Sequence, residues 1–87
     1  MSKKADIYYA YDLKDSFKIV YRGITQNPDK QEEQHRQEGM QFTHIIIDPE
    51  PLTLEESKHV EIEMLKTYRM GHYGENPKYN KAPDPDD

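Results

Sequence analysis

The amino-acid sequence predicts an α+β fold, with helices packed on a small sheet, in the order β-β-α-β-α. Three segments rich in aromatic and β-branched residues, 6–12, 17–23 and 41–48, are typical of strands. Two further segments, which follow Asn27 and Thr53, begin with residues that commonly cap helices. This order of elements predicts a small mixed sheet.

The first two strands are predicted to form a β-hairpin. The sequence "DIYYAYD" at 6–12 is the outgoing strand, "LKDS" at 13–16 has the character of a turn, and "FKIVYRG" at 17–23 returns. Because side chains alternate along a strand, we expect Val20 on one face of the second strand. The residues expected on the opposite face are Phe17, Ile19, Tyr21 and Gly23.

The first predicted helix has no apolar side chain on any face. It begins at Asn27, a capping residue followed by Pro28, and it ends at Gly39. A helix without an apolar stripe has little to bury, so its neighbours must hold it in place. The apolar residues that flank the helix and are expected to tether it are Ile24, Met40 and Phe42.

The second predicted helix carries a carboxylate inside its apolar stripe. It opens with a capping box of Thr53 and Glu56 and runs to Gly71. Glu61 occupies a stripe position where leucine would be ordinary, and burying a carboxylate costs free energy unless a partner satisfies it. Two interpretations stay open: a stripe edge turned to solvent or paired with lysine, or a metal ligand facing a cleft. The other stripe residues are Leu54, Ser57, Met64, Leu65 and Tyr68.

Composition limits the class of protein. The 87 residues suit one domain with a lean core, since apolar and charged residues each make up 33% of the chain. The sequence has no cysteine, which excludes disulfides and thiolate zinc sites. No apolar run has the length of a membrane span and no secretory segment follows the start, so we expect a cytoplasmic protein with no membrane partner. The net charge of −5 argues mildly against non-specific nucleic-acid binding.

The domain is expected to cover 6–81. Residues 1–5 are expected to form a flexible N-terminus. The ending "APDPDD" at 82–87 is rich in proline and aspartate and is expected to be a disordered acidic tail.

Seven tyrosines and four histidines have open roles on pattern alone. Tyr8, Tyr9 and Tyr11 suit the packing of an amphipathic strand, and a phenol also acts as an acid or base where its neighbours tune its pKa. The histidines form no metal-binding array. His35 follows Gln31 by four residues and shares its helix face. The histidines expected at the surface are His44, His59 and His72.

Taken together, these motifs resemble the GIY-YIG nuclease domain. The tripeptide "DIY" keeps Ile7 and Tyr8 of the first name motif, and "YRG" keeps Tyr21 and Gly23 of the second. The segment "GITQNP" leads into a polar helix with a histidine, a glutamate lies on the last helix, and "NPKYNK" closes the domain. The resemblance covers about 6–81 and implies a three-stranded antiparallel sheet flanked by helices.

The resemblance implies an endonuclease that hydrolyses DNA phosphodiester bonds with one Mg²⁺ or Mn²⁺ ion. Glu61 matches the glutamate that holds the cation. Tyr8 matches the base that takes a proton from the attacking water, and Tyr21 would bind that water or a phosphate oxygen. His35 would assist Tyr8 or contact phosphate. The residues expected beside the substrate are Gly23, Lys30, Gln31, Arg36 and Asn80.

One position departs from the family pattern. The family has an arginine eight residues after the motif glycine, where this chain has Gln31. A neutral amide supplies a hydrogen bond but no charge, which weakens transition-state stabilisation unless Arg22, Lys30 or Arg36 is recruited. We therefore weigh a nuclease against a catalytically weak or inactive module that binds nucleic acid or protein, and we favour the nuclease because the other site residues are retained. A third interpretation makes the tyrosines and Glu61 purely structural.

So small a domain carries no appended DNA-binding module within its own span. Its specificity for a DNA sequence or a branched structure would then come from the substrate, from a homo-oligomer or from a partner protein.

Overall fold

The computed structural model describes residues 7–80 and has the predicted order of elements. The elements are β1 Tyr9–Asp15, β2 Lys18–Thr25, α1 Pro28–Gln37, β3 His44–Ile47 and α2 Leu54–Met70. β1 is the central strand, and β2 and β3 both pair with it in antiparallel direction. The mixed sheet expected from the element order is therefore wrong, whereas the α+β class and the three-stranded antiparallel sheet are confirmed. The predicted terminal segments 1–5 and 82–87 lie outside the described residues.

The hairpin turn lies later in the chain than predicted. β1 continues through 13–15, and the chain reverses at Ser16 and Phe17. Ser16 has a φ of 60°, in the left-handed region that tight hairpin turns use. Leu13 stays in the strand because its side chain is fully buried, and this burial outweighs the turn character of the residues that follow. Phe17, expected within the strand, is 93% exposed.

A β-bulge in β2 changes which side chains face the core. Leu13 pairs with Tyr21, whereas the next residue of β1 pairs with Ile19. Val20 is therefore the extra residue of the bulge, and it is buried in the same apolar cluster as Leu13, with Tyr21 packed against that cluster. The predicted separation of Val20 from Tyr21 is wrong because the bulge interrupts the alternation of side chains.

The apolar core is small and lies between the sheet and the segment that follows α1. α1 itself buries only His35, and the apolar residues Met40 and Phe42 hold its C-terminal end, as predicted. Ile24, the third predicted tether, lies in β2 and is not a member of the core cluster. The cluster consists of buried Tyr11, Leu13, Val20 and Phe42, with Tyr21, Met40, Ile45 and Tyr79 packed against it.

Both helices begin at the predicted caps. The side chain of Asn27 accepts a hydrogen bond from the backbone N–H of Lys30, with Pro28 as the first residue of α1. Thr53 and Glu56 form the predicted capping box of α2. The helices within residues 7–80 are too short or too polar to span a bilayer.

The segment after α2 covers the outer edge of β2. The backbone N–H of Tyr79 donates to the carbonyl of Val20 at 2.8 Å. The side chain of Asn80 accepts from the N–H of Arg22 at 2.8 Å and donates to the carbonyl of the same residue at 2.9 Å. Pro77 is fully buried. This loop therefore satisfies edge groups that a fourth strand would otherwise pair.

Candidate active site

Three aromatic side chains from three different elements meet on one face of the sheet. The hydroxyl of Tyr11, on β1, lies 2.8 Å from Nε2 of His35, on α1. The ring centres of Tyr21, on β2, and His35 are 4.7 Å apart, and those of Tyr11 and Tyr21 are 6.0 Å apart. Tyr11 and His35 are almost fully buried, whereas Tyr21 is half-buried. Tyr21 is therefore the member of the cluster that solvent reaches most easily.

Gly23 leaves the space that this cluster occupies. It lies opposite Tyr11 in the β1–β2 ladder. A Cβ atom at Gly23 would lie 2.8 Å from the Tyr11 hydroxyl oxygen and 2.8 Å from Cε2 of Tyr21, closer than real Cβ contacts. The glycine of "YRG" is thus required by the two tyrosine rings that lie over it, and no substrate contact is needed to explain it.

The structure places Tyr11, and not Tyr8, beside Tyr21 and His35. Tyr8 precedes β1 and forms an isolated bridge with Leu52, with both backbone hydrogen bonds at 2.9 Å. Since Tyr8 is three residues from Tyr11, strand alternation directs their side chains to opposite faces. We therefore assign to Tyr11 the position beside Tyr21 that motif matching gave to Tyr8.

Sequence reasoning missed Tyr11 because "YYAY" offers several tyrosines with the same composition and pattern. Only the hairpin register distinguishes them, and that register depends on a turn at Ser16 and a bulge at Val20. The tyrosine opposite Gly23 is the one that meets the cluster, so both the turn position and the bulge are needed to identify Tyr11 from the sequence.

A chain of hydrogen bonds runs through the polar face of α1. The N–H of Asn27 donates to Oγ1 of Thr25 at 3.1 Å, and this hydroxyl donates to Oε1 of Gln31 at 3.4 Å. The amide nitrogen of Gln31 lies 3.3 Å from Nε2 of His35. On the other side of the ring, Nδ1 of His35 lies 3.2 Å from Oε1 of Glu38. Gln31, predicted to face the substrate, is therefore engaged with Thr25 and His35.

Arg22 lies on the opposite face of the sheet and is fully engaged there. Its guanidinium donates to both carboxylate oxygens of Asp12, at 3.0 Å and 3.4 Å. A third hydrogen bond, 3.0 Å long, goes to the backbone carbonyl of Met64 on α2. This arginine holds α2 to the sheet, so it does not supply the charge that position 31 lacks.

Of the two cations on α1, Arg36 is engaged with other residues and Lys30 is exposed. Arg36 donates to Glu32 and to the carbonyl of Phe42, each at 3.3 Å, and its guanidinium lies 4.1 Å from the centre of the Phe42 ring. Lys30 is exposed and forms no ion pair with another residue of 7–80. Of the predicted substrate-binding cations, Lys30 is the one left available within the described chain.

Burial raises the pKa of both tyrosines in the cluster. The pKa of Tyr11 is raised well above its ordinary value of 10.0, first by burial, then by the neighbouring Tyr21, and further by the charges of Glu61 and Glu38. Burial also raises the pKa of Tyr21, which its contact with Tyr11 lowers and the same two carboxylates raise. Both phenols are therefore protonated at neutral pH. A proton that either one accepts must be passed on, and Nε2 of His35 is the adjacent acceptor.

Glu61 lies exposed on α2, in agreement with the stripe-edge interpretation. Its side chain forms no hydrogen bond or ion pair with another residue of 7–80, and its charge helps to raise the pKa of Tyr11 and Tyr21. Across the same described residues, no three His, Cys, Asp or Glu side chains converge to hold a metal. The donor set therefore fits a hydrated Mg²⁺ or Mn²⁺ ion held by one carboxylate, and does not fit a site made wholly of protein ligands.

The remaining predicted residues are bonded to the backbone or exposed. Both ends of the Asn80 amide are bonded to the backbone of Arg22, which gives Asn80 a structural role in the edge of the sheet. The three other histidines are exposed, as predicted: His44, His59 and His72.

No protein-family model, curated protein or solved structure matches this chain. The likeness to GIY-YIG domains therefore rests on the sequence motifs, and the candidate site rests on the geometry of Tyr11, Tyr21 and His35, with Glu61 linked to it by the effect of its charge on the two phenols.

Proposed function

We propose that this chain is a divalent-metal-dependent endonuclease that hydrolyses DNA phosphodiester bonds. The observation that carries the proposal is the 2.8 Å contact between the Tyr11 hydroxyl and Nε2 of His35. It joins the tyrosine pair to an imidazole nitrogen, and the charge of the exposed Glu61 carboxylate reaches both phenols. Such an arrangement suits the removal of a proton from an attacking water.

The proton would leave the water through the tyrosine pair. Tyr21, the half-buried phenol, binds the attacking water, and Tyr11 lies behind it against His35. The water gives one proton to the pair while the pair gives one proton to Nε2 of His35. Each phenol is neutral before and after, which is consistent with the raised pKa of both.

Glu61 is the residue that would hold the cation. A hard cation supplies polarisation of the phosphate and stabilises the leaving oxygen when bound. The free, exposed carboxylate supports this role, because neither oxygen would have to leave a partner within residues 7–80.

Plasmid nicking tests the proposal. We expect the wild-type chain to nick supercoiled DNA with Mg²⁺ or Mn²⁺, and Glu61→Gln to lose the activity while keeping the size of the side chain. Glu63→Gln is the matched control, since Glu63 is also exposed on α2. Equal cleavage by the wild type and Glu61→Gln would overturn the proposal. A four-way junction offered beside the plasmid determines whether branched DNA is preferred.

A second candidate is a module that binds nucleic acid or protein through the same face without cleaving it. The engagement of Arg22 and Arg36 elsewhere favours this candidate, because no guanidinium then replaces the charge absent at Gln31. A gel-shift of labelled DNA without cleavage would support binding alone. Gain of cleavage in Gln31→Arg would identify the missing charge as the reason for inactivity.

Specificity for a DNA substrate would then depend on contacts made from outside residues 7–80. Few cations are available near the cluster, so tight binding of bare phosphate backbone is not expected. A second copy of the chain, a partner protein or a distorted DNA structure would supply the remaining contacts.

A further inference from the structure

We infer that Glu38 is a positioning residue that fixes His35 as the neutral Nδ1–H tautomer and leaves Nε2 to accept a proton. The tautomer follows from the geometry alone, and its catalytic use rests on the proposed nuclease function. Glu38 follows His35 by three residues at the C-cap of α1, and its Oε1 lies 3.2 Å from Nδ1. Its other oxygen accepts from the amide of Gln34 at 3.4 Å, which holds the carboxylate in place.

The groups around the ring determine which nitrogen carries the proton. A carboxylate only accepts hydrogen bonds, so Nδ1, which faces Glu38, must be the donor. Nε2 faces the Tyr11 hydroxyl at 2.8 Å and the Gln31 amide nitrogen at 3.3 Å, and both of these can donate.

The orientation of the Gln31 amide is itself determined by its neighbours. The hydroxyl of Thr25 accepts from the N–H of Asn27 and donates to Oε1 of Gln31. The NH₂ group of Gln31 is then the end that meets His35. Both donors at Nε2 can therefore bond to a lone pair on that nitrogen. A proton on Nε2 before the reaction would face the N–H of Gln31, and two donors cannot bond to each other.

This arrangement suits the proposed proton transfer. When Nε2 takes the proton that leaves Tyr11, the imidazole becomes an imidazolium, and the adjacent Glu38 carboxylate stabilises its positive charge. The neutral Gln31 places no positive charge beside the ring, as an arginine would. The imidazolium later returns its proton to water, and the leaving oxygen takes one from water, so the proton count balances over one turnover.

Ring nitrogen NMR of the full chain tests the inference. In ¹⁵N-labelled wild-type protein at neutral pH, we expect His35 to show a protonated Nδ1 and an unprotonated Nε2. We expect Glu38→Ala to lose this tautomer preference and Glu33→Ala to keep it, because Glu33 is an exposed glutamate on the same helix. The exposed His59, whose ring forms no hydrogen bond with another residue of 7–80, is an internal reference in the same spectra.

Cleavage assays on the same variants separate this inference from the proposed function. Glu38→Ala is expected to lower kcat roughly 10- to 100-fold with little change in KM, and Glu33→Ala to change neither. A wild-type His35 that is protonated on Nε2, or an Nδ1–H tautomer that survives in Glu38→Ala, would overturn the inference. Unchanged kcat in Glu38→Ala with an active wild type would contradict the role of Glu38 and leave the nuclease proposal standing. An inactive wild type with the expected tautomer would instead contradict the nuclease and keep the structural assignment.

Discussion

The two faces of the sheet use their polar residues in opposite ways. On the face toward α1, the hydroxyl of Tyr11 and the amide of Gln31 both form hydrogen bonds with the imidazole of His35. On the face toward α2, Arg22 and Asp12 form a bidentate ion pair. The first arrangement can exchange protons, and the second arrangement fixes a helix in position.

The motif "YRG" shows how one strand serves both faces. Tyr21 belongs to the aromatic cluster and Gly23 lies beneath it, whereas Arg22 between them reaches the Met64 carbonyl of α2. Adjacent residues on a strand point to opposite sides. The arginine nearest in sequence to the candidate site therefore cannot compensate for Gln31, because strand geometry directs it away.

The largest effect is expected when Tyr11 is replaced, and Tyr8, which strand alternation directs to the opposite face, provides the comparison. If Tyr11 passes the proton to His35, Tyr11→Phe should lower kcat for DNA cleavage roughly 10²- to 10⁴-fold while leaving the fold intact. Tyr8→Phe is the matched control and should cleave at close to the wild-type rate, since Tyr8 lies outside the cluster. The measurement is plasmid nicking under single-turnover conditions. A large loss in Tyr8→Phe with none in Tyr11→Phe would restore the assignment made from the motif.

Much of the fold follows from local sequence signals. Both helix starts, the class of fold and the tethering of α1 by Met40 and Phe42 agree with capping chemistry and apolar spacing. The positions of the turn and the bulge were not predicted, because they depend on the burial of Leu13 and Val20. That burial comes from contacts with residues distant in the sequence, which local turn signals do not report. The same long-range pairing determines which tyrosine joins the site.

The hydrogen bonds on the polar face of α1 were harder to predict than the helix itself. The spacing of Gln31 and His35 places them on one side of the helix, but it does not reveal that the Gln31 amide is bonded between Thr25 and His35. Glu38 lies at the helix end, where a carboxylate is usually solvated, and its contact with the buried ring of His35 is not evident from the sequence.

The next largest effect is expected when a side chain is added at Gly23, beneath the two tyrosine rings. In Gly23→Ala, the added Cβ would press on the Tyr11 hydroxyl and the Tyr21 ring, each 2.8 Å away. We expect the free energy of unfolding to fall by about 1–3 kcal/mol, since over-packing a buried position forces its neighbours to move. Gly71→Ala is the control, because its nearest atom is 3.9 Å away and its φ of −94° suits alanine. Equal stability of the two variants in urea unfolding would contradict the close packing over Gly23.

A smaller loss is expected on the α2 face. Arg22→Met removes the partner of Asp12 and one donor to the Met64 carbonyl, at a site where about a fifth of each charged side chain is exposed. Because water still reaches the pair, we expect a loss of about 1–2 kcal/mol, below that of a fully buried pair. The double variant Asp12→Leu with Arg22→Met should recover part of the loss, whereas Lys66→Met, at an exposed position of α2, should change stability little. No recovery in the double variant would indicate that the helix contact outweighs the ion pair.

The smallest effect is expected from the ionisation of Tyr11, which changes the stability of the protein only at alkaline pH. Its pKa in the folded chain is raised above the ordinary 10.0 of an unfolded tyrosine, first because it is buried. A group whose folded pKa is raised contributes its full stability below the unfolded pKa and loses it as the pH rises beyond that value. The free energy of unfolding should therefore fall above pH 10.0 by roughly 1 kcal/mol per pH unit from this residue. Tyr11→Phe should reduce that slope, and the fully exposed Tyr73 provides the control substitution Tyr73→Phe. Urea unfolding between pH 8 and pH 11 measures the slope, and identical slopes in the wild type and Tyr11→Phe would mean that this phenol ionises as freely in the folded chain as in the unfolded one.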